Sequence, residues 1–122
     1  MHCEVRLDAD KNRLYVLLEG LLSEEEARQA ANQIIAGVET LKPGGDIIND
    51  LSQFRPLSQS SLSEVRRIAE AIVKARVRRL VRIVGVSPTA VMQVQREAST
   101  VGGYESFTVS TLAQAEALLE QG

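Results

Sequence analysis

Three short apolar runs, Ile47 to Leu51, Arg79 to Val86 and Phe107 to Val109, are separated by stretches whose apolar residues recur at helical spacing. Connections of that length cannot be hairpins. Neighbouring strands must therefore run parallel, joined by right-handed crossovers, with helices packed on the sheet. The helices carry their own start and stop signals. Ser23 followed by Glu26 is a capping box, and Ala27, Ala30, Ile34, Val38 and Leu41 share one helical face until Pro43-Gly44-Gly45 ends the pattern. Ser61 and Glu64 repeat that spacing ahead of Leu62, Val65, Ala69, Ile72, Val73 and Arg76, with Arg66, Arg67, Glu70 and Lys74 off the apolar face. Ser87-Pro88 starts a third helix through Val91, Val94, Ala98 and Val101, which Gly102-Gly103 closes. Ser110 or Thr111 caps a last one through Leu112, Ala115, Leu118 and Leu119.

The chain opens differently. Cys3, Val5 and Leu7 alternate with polar residues, Asp8 to Asn12 form a turn, and Arg13 to Glu19 return as a more buried strand. The order is thus ββαβαβαβα. The expectation is an α/β protein: a single domain over 1–122, with a four- to five-stranded mixed, mostly parallel sheet, an opening β-hairpin and about four helices. A chain of 122 residues is long enough to bury roughly two-thirds of the surface its unfolded form exposes.

Composition narrows the function. No apolar run approaches the ~20 residues of a membrane-spanning helix, and Met1-His2-Cys3-Glu4 lacks the features of a secretory signal, so a cytoplasmic location is expected. His2 and Cys3 are the sole histidine and cysteine, which excludes an internal disulfide and argues against a Cys/His zinc site. Cys3 reads as a buried strand residue and His2 as a frayed end. A net charge of −2 and four scattered aromatics, Tyr15, Phe54, Tyr104 and Phe107, do not suit nucleic acid. Charge is nevertheless uneven. Seven of the 14 basic residues lie between Arg66 and Arg82 against Glu70 alone, whereas Glu24, Glu25 and Glu26 open the first helix. Such asymmetry fits either a solvated helix face or the steering of an acidic partner.

The candidate working surface begins at Asp46-Ile47-Ile48-Asn49-Asp50-Leu51-Ser52 and continues through Gln53-Phe54-Arg55-Pro56-Leu57 to Ser58, Ser60, Ser61 and Ser63. Ligands of α/β domains gather at the carboxyl ends of strands. Asp50 there is either a turn cap or a charged site residue, and no second acid, histidine or nucleophile stands at a spacing that would complete a catalytic set. Gly44-Gly45 and Gly102-Gly103 lack the spacing of phosphate loops and read as turns. The serines are either caps or phosphate acceptors, since a phosphate at a helix start meets unsatisfied N–H groups and the positive end of the dipole.

The element order, the strand ending in Asp50-Leu51-Ser52, the Leu62 helix and Val84-Gly85-Val86-Ser87-Pro88-Thr89-Ala90-Val91 together resemble the STAS domain family, the sulfate transporter and anti-sigma factor antagonist domains. The resemblance runs from Cys3 to Leu119. In that family an Asp-Leu pair closes a strand, Asp-Ser-Ser-Gly-Leu-Gly opens the next helix, and a later strand enters a Gly-x-Ser-Pro turn. With Asp50-Leu51 and Leu62 aligned, the motif's aspartate falls on Ser58, its phosphorylatable serine on Gln59, its second serine on Ser60 and its glycines on Ser61 and Ser63. Gln59 cannot be phosphorylated, which leaves Ser58 and Ser60 as the candidate acceptors.

The resemblance implies a non-catalytic regulatory module without cofactor or metal, whose partner is an anti-sigma-type serine kinase or another STAS-like subunit, with homo-oligomers also open. Docking is expected through Asp50, Phe54, Leu57, Ser58, Gln59, Ser60, Ser61, Arg66 and Arg67, with Phe54 or Leu57 as apolar anchor. The alternative is a small-ligand module for a nucleotide, phosphate or lipid, with a pocket at the strand ends around Asn49 and Ser87.

Overall fold

The hairpin pairs β1 (Cys3–Asp8) antiparallel to β2 (Arg13–Gly20), and its register sets Cys3 against Leu18, Val5 against Val16 and Leu7 against Leu14. The alternating apolar residues of both strands therefore share one face. The computed structural model describes residues 2–121; Met1 and Gly122, the ends of the expected 1–122 domain, lie outside the described residues. Asn12 closes the turn at φ 52°, a left-handed conformation that asparagine tolerates. Its side-chain amide donates to the Lys42 carbonyl and accepts from the Lys42 N–H, both at 2.9 Å, which fastens the hairpin tip to the first crossover.

Helix α1 (Glu24–Val38) starts as its capping box requires: Glu26 N–H donates to Ser23 Oγ at 3.1 Å, and Ser23 N–H donates to Glu26 Oε1 at 2.9 Å. These bonds, with the nearby His2, hold the Glu26 carboxyl below its usual range. Then follow β3 (Asp46–Phe54), a 3₁₀ turn (Gln59–Ser61), α2 (Leu62–Lys74), β4 (Arg79–Ile83), α3 (Pro88–Ser99), β5 (Glu105–Val109) and α4 (Leu112–Glu120). The five strands lie in chain order, β2 to β5 all parallel.

With that order, crossovers of one hand deliver α1, α2 and α3 to the same face. The larger core forms there, from Leu14, Val16, Leu18, Ile47, Leu51 and Leu80 beneath Ala30, Ile34, Val65, Ile72 and Val94. On the other face α4 alone covers β3, β4 and β5 through Ala115 and Leu119 against Ile48, Val81 and Ile83. α4 also reaches the start of β2, where Arg13 and Tyr15 bond Glu120 and Glu116, but the rest of that face is more open: Glu4 and Arg6 are exposed and Tyr15 and Leu17 half-buried.

Four details depart from the sequence reading. β3 continues to Phe54, because a register shift between Leu17 and Glu19 of β2 lets Glu19 and Gly20 pair with Gln53 and Phe54. β4 stops at Ile83 rather than Val86; the chain there presses against β3, and a Cβ on Gly85 would lie 2.3 Å from the Ser52 carbonyl oxygen. Ser61 does not cap α2 with its side chain, since the 3₁₀ turn already holds it in helical conformation. His2 is not frayed: its carbonyl accepts from Glu19 N–H at 2.9 Å, and its ring reaches the Glu19 carbonyl and the Glu26 carboxylate, both at 3.1 Å. Cys3 is buried as expected, and burial pushes its thiol up to about 11. Thr111 is the residue that caps α4, its Oγ1 accepting from Gln114 N–H at 3.1 Å.

Candidate functional site

Past Phe54 the chain has left the sheet, and three contacts shape the loop. Arg55 N–H donates to the Gly20 carbonyl at 3.1 Å. Gln93 of α3 grips Leu57 at both ends of its backbone, its Oε1 accepting from Leu57 N–H and its Nε2 donating to the Leu57 carbonyl, both at 2.8 Å. Val86 N–H donates to the Ser52 carbonyl at 2.9 Å. The loop is thus clamped to the start of α3. Ser87 caps that helix as expected, its Oγ accepting from Ala90 N–H at 3.2 Å.

The serines then form a hydroxyl cluster. Ser58 Oγ lies 2.9 Å from Ser61 Oγ and 3.2 Å from Ser60 Oγ, and Ser60 Oγ donates to the Glu24 carboxylate at 2.5 Å. This chain of bonds ties the 3₁₀ turn to the first turn of α1. Ser61 is buried within it, while Ser58, Gln59 and Ser60 face solvent. Two exposed apolar side chains, Val86 at 48% and Met92 at 58%, lie on the β4–α3 connection and on α3, the segments to which the loop is clamped at Ser52 and Leu57. A turn of exposed hydroxyls and exposed apolar side chains on one braced scaffold can present a docking edge.

Several expected members are elsewhere. Phe54 is 1% exposed in the larger core, so it is no docking anchor; the extra residue that β3 carries between Asp50 and Gln53, opposite Leu17 to Glu19, turns its ring inward. Ser61 is likewise inaccessible. Asp50 faces the open side of the sheet among Arg6, Tyr15 and Leu17, and its Oδ1 accepts from Ser52 N–H at 2.9 Å, the geometry of a turn cap. Asn49 faces the opposite side and donates to the Val16 carbonyl at 3.3 Å. Alternation along the strand separates the two. Leu57 is half-buried against the core.

The basic excess is largely spent inside the molecule. Arg66 donates to Glu97 at 2.6 and 3.1 Å, and Arg67 donates to Glu64 at 2.8 Å and to Asn32 at 2.9 Å. Arg79 and Arg82 are buried. Among the described residues no group of three or more His, Cys, Asp and Glu side chains could hold a metal ion, and no helix is long and apolar enough to cross a membrane.

The sequence reading missed Gln93, Glu24, Val86 and Met92. Gln93 and Glu24 look like ordinary surface residues of their helices, and Val86 reads as the tail of a strand; only the crossing of β3 and the β4–α3 loop gives them a role.

No family model matches the sequence, and neither does any curated protein. Among solved structures, the chain is similar to an anti-sigma-factor antagonist (STAS) domain protein from Planctomyces limnophilus, at 17% identity and a TM-score of 0.65, over 97% of each chain. The five-stranded sheet, its antiparallel first pair and its four helices are accordingly those of the STAS-domain fold.

Proposed function

We propose that this chain is a non-catalytic protein-interaction module of the cytoplasm. Its docking edge is built from Leu57, Ser58, Gln59 and Ser60 with Val86 and Met92, flanked by Arg66 and Arg67. The observation that carries this reading is a solvent-facing hydroxyl turn in a loop held by Gln93 of α3 and Glu24 of α1, with the exposed apolar Val86 and Met92 on the elements that clamp the loop. The partner is an anti-sigma-type serine kinase or another STAS-like subunit, a second copy included.

Ser58 and Ser60 are the switch positions, and they differ in consequence. A phosphate on Ser60 sets about two negative charges against the Glu24 carboxylate and opens the turn from α1. On Ser58 it replaces hydroxyl contacts within the turn and adds charge to the docking edge itself. The test is to cross-link the chain to its partner in host lysate, purify the captured protein and measure its Kd. Met92→Glu and Ser60→Asp should each weaken binding at least tenfold, and Lys74→Glu should not; equal affinities for all four proteins would overturn the assignment.

The second reading, small-ligand binding, is favoured by an interior cavity beneath the helices. Asn49 lines it; Ser87 does not.

A further inference from the structure

Between the sheet and helices α1 to α3 lies a cavity of about 60 Å³, walled almost wholly by apolar side chains such as Val16, Leu18, Ala30, Ile72 and Leu80. The polar members of the wall are Asn49, Tyr104, Glu64, whose carboxylate is held by Arg67, and Arg82. The Arg82 side chain is on the cavity wall, the residue is 3% exposed, and its Nε has no hydrogen-bond partner. No carboxylate pairs with it among the described residues; the Tyr104 hydroxyl is the polar group that meets it, and burial weakens its hold on its proton. A buried cation with no counter-charge is strongly disfavoured, because burial strips its hydration without replacing it. A guanidinium also presents a planar fork that fits a carboxylate.

We propose that this cavity binds a short aliphatic monocarboxylate, with the carboxylate on Arg82 and Tyr104 and the hydrocarbon chain among the apolar wall residues. This inference rests on the ligand-binding reading and is independent of the docking edge. Three features choose the class. One unpaired cation balances one negative charge, which disfavours phosphate esters and nucleotides, whose further charge would be buried without a partner. The apolar wall favours a hydrocarbon over a polar body. The volume has room for about four to six water-sized groups, a carboxylate and a chain of a few carbons.

The probe is butyrate, with 1-butanol and butylamine as neutral and cationic matches of similar size. Thermal unfolding of the whole chain should rise by about 5 °C or more in saturating butyrate, and not with butanol or butylamine. Arg82→Met should abolish the butyrate shift. Because that variant can fail to fold, the same solutions are also followed by methyl NMR of the unaltered chain, where butyrate should perturb Val16, Leu18 and Leu80. Butyrate that leaves both Tm and these methyls unchanged, or a shift matched by butanol, overturns the proposal. A shift with nucleotides or inorganic phosphate but none with butyrate rejects this class while sparing the ligand-binding reading; silence across all of them rejects both. Met92→Glu should bind butyrate as the unaltered chain does, which separates this site from the docking edge.

Discussion

Arg79 and Arg82 stand three residues apart on β4, both buried, yet on opposite faces of the sheet. In the parallel register Arg79 lies beside Asp46 and Arg82 beside Asn49. Arg79 forks onto the Asp46 carboxylate at 3.2 and 3.3 Å and donates a further bond of 3.2 Å to the Leu119 carbonyl, anchoring the last turn of α4. Arg82 has an amide where its neighbour has an acid. One arginine is part of the architecture; the other is a charge that the architecture leaves unbalanced. The difference between Asp46 and Asn49 thus separates a structural ion pair from a candidate ligand site.

The comparison breaks first at Asp46. Asp46→Ala leaves Arg79 buried without its acid and should destabilise the chain by about 3–5 kcal/mol in urea unfolding. A loss below about 1 kcal/mol would mean that Arg79 escapes to solvent and that the two arginines are not different in kind. At the other pole, Arg82→Met removes an uncompensated charge and fills part of an apolar space. Without ligand it should raise stability by about 1–3 kcal/mol. A destabilised Arg82→Met that still folds would show that water or Tyr104 already satisfies the guanidinium. A smaller change crosses the two sites: Asn49→Asp gives Arg82 an acid of its own. It should stabilise by about 1 kcal/mol, net of the lost bond to the Val16 carbonyl, and suppress the butyrate response.

The same contrast shows what was legible in the chain. Element order and helix starts were, because caps and apolar spacing act over a few residues: Ser23, Ser87 and Thr111 each accept the N–H bond that their position implies. Register was not. Nothing local to Asp46, Asn49, Arg79 or Arg82 announces which will be neighbours, and a cation in a strand reads the same whether or not an acid faces it. The loop after β3 was less legible for a related reason. The extra residue of β3 that turns Phe54 into the core is fixed by pairing with the distant β2, and the 3₁₀ turn at Ser61 sits in a loop that Glu24 and Gln93 hold from two other helices. Charge counting over Arg66 to Arg82 overstated the basic surface, since half-buried Glu97 and Glu64 and the sheet interior absorb four of its seven members.

Arg13 supplies the intermediate case, and with it the smallest expected effect. It is buried on the α4 face like Arg79, but its acid, Glu120, is exposed to solvent at the end of the last helix and also meets Lys11 at 3.6 Å. The Arg13 hydrogen bond, then the charges of Lys11 and Arg13, hold the Glu120 carboxyl below its usual range. A carboxyl depressed by folding adds stability above its unfolded value of about 4.3, and that contribution is lost as pH falls through the lower folded value. Urea midpoints measured from pH 6 down to pH 2 should therefore fall more steeply for the unaltered chain than for Glu120→Gln. The gap should be widest above pH 5 and close towards pH 2, because protonation then makes the two side chains alike in charge. Parallel curves would place Arg13 with Arg82, as a buried cation that its nearest carboxylate does not stabilise. A gap as large as the loss from Asp46→Ala would place it with Arg79 instead.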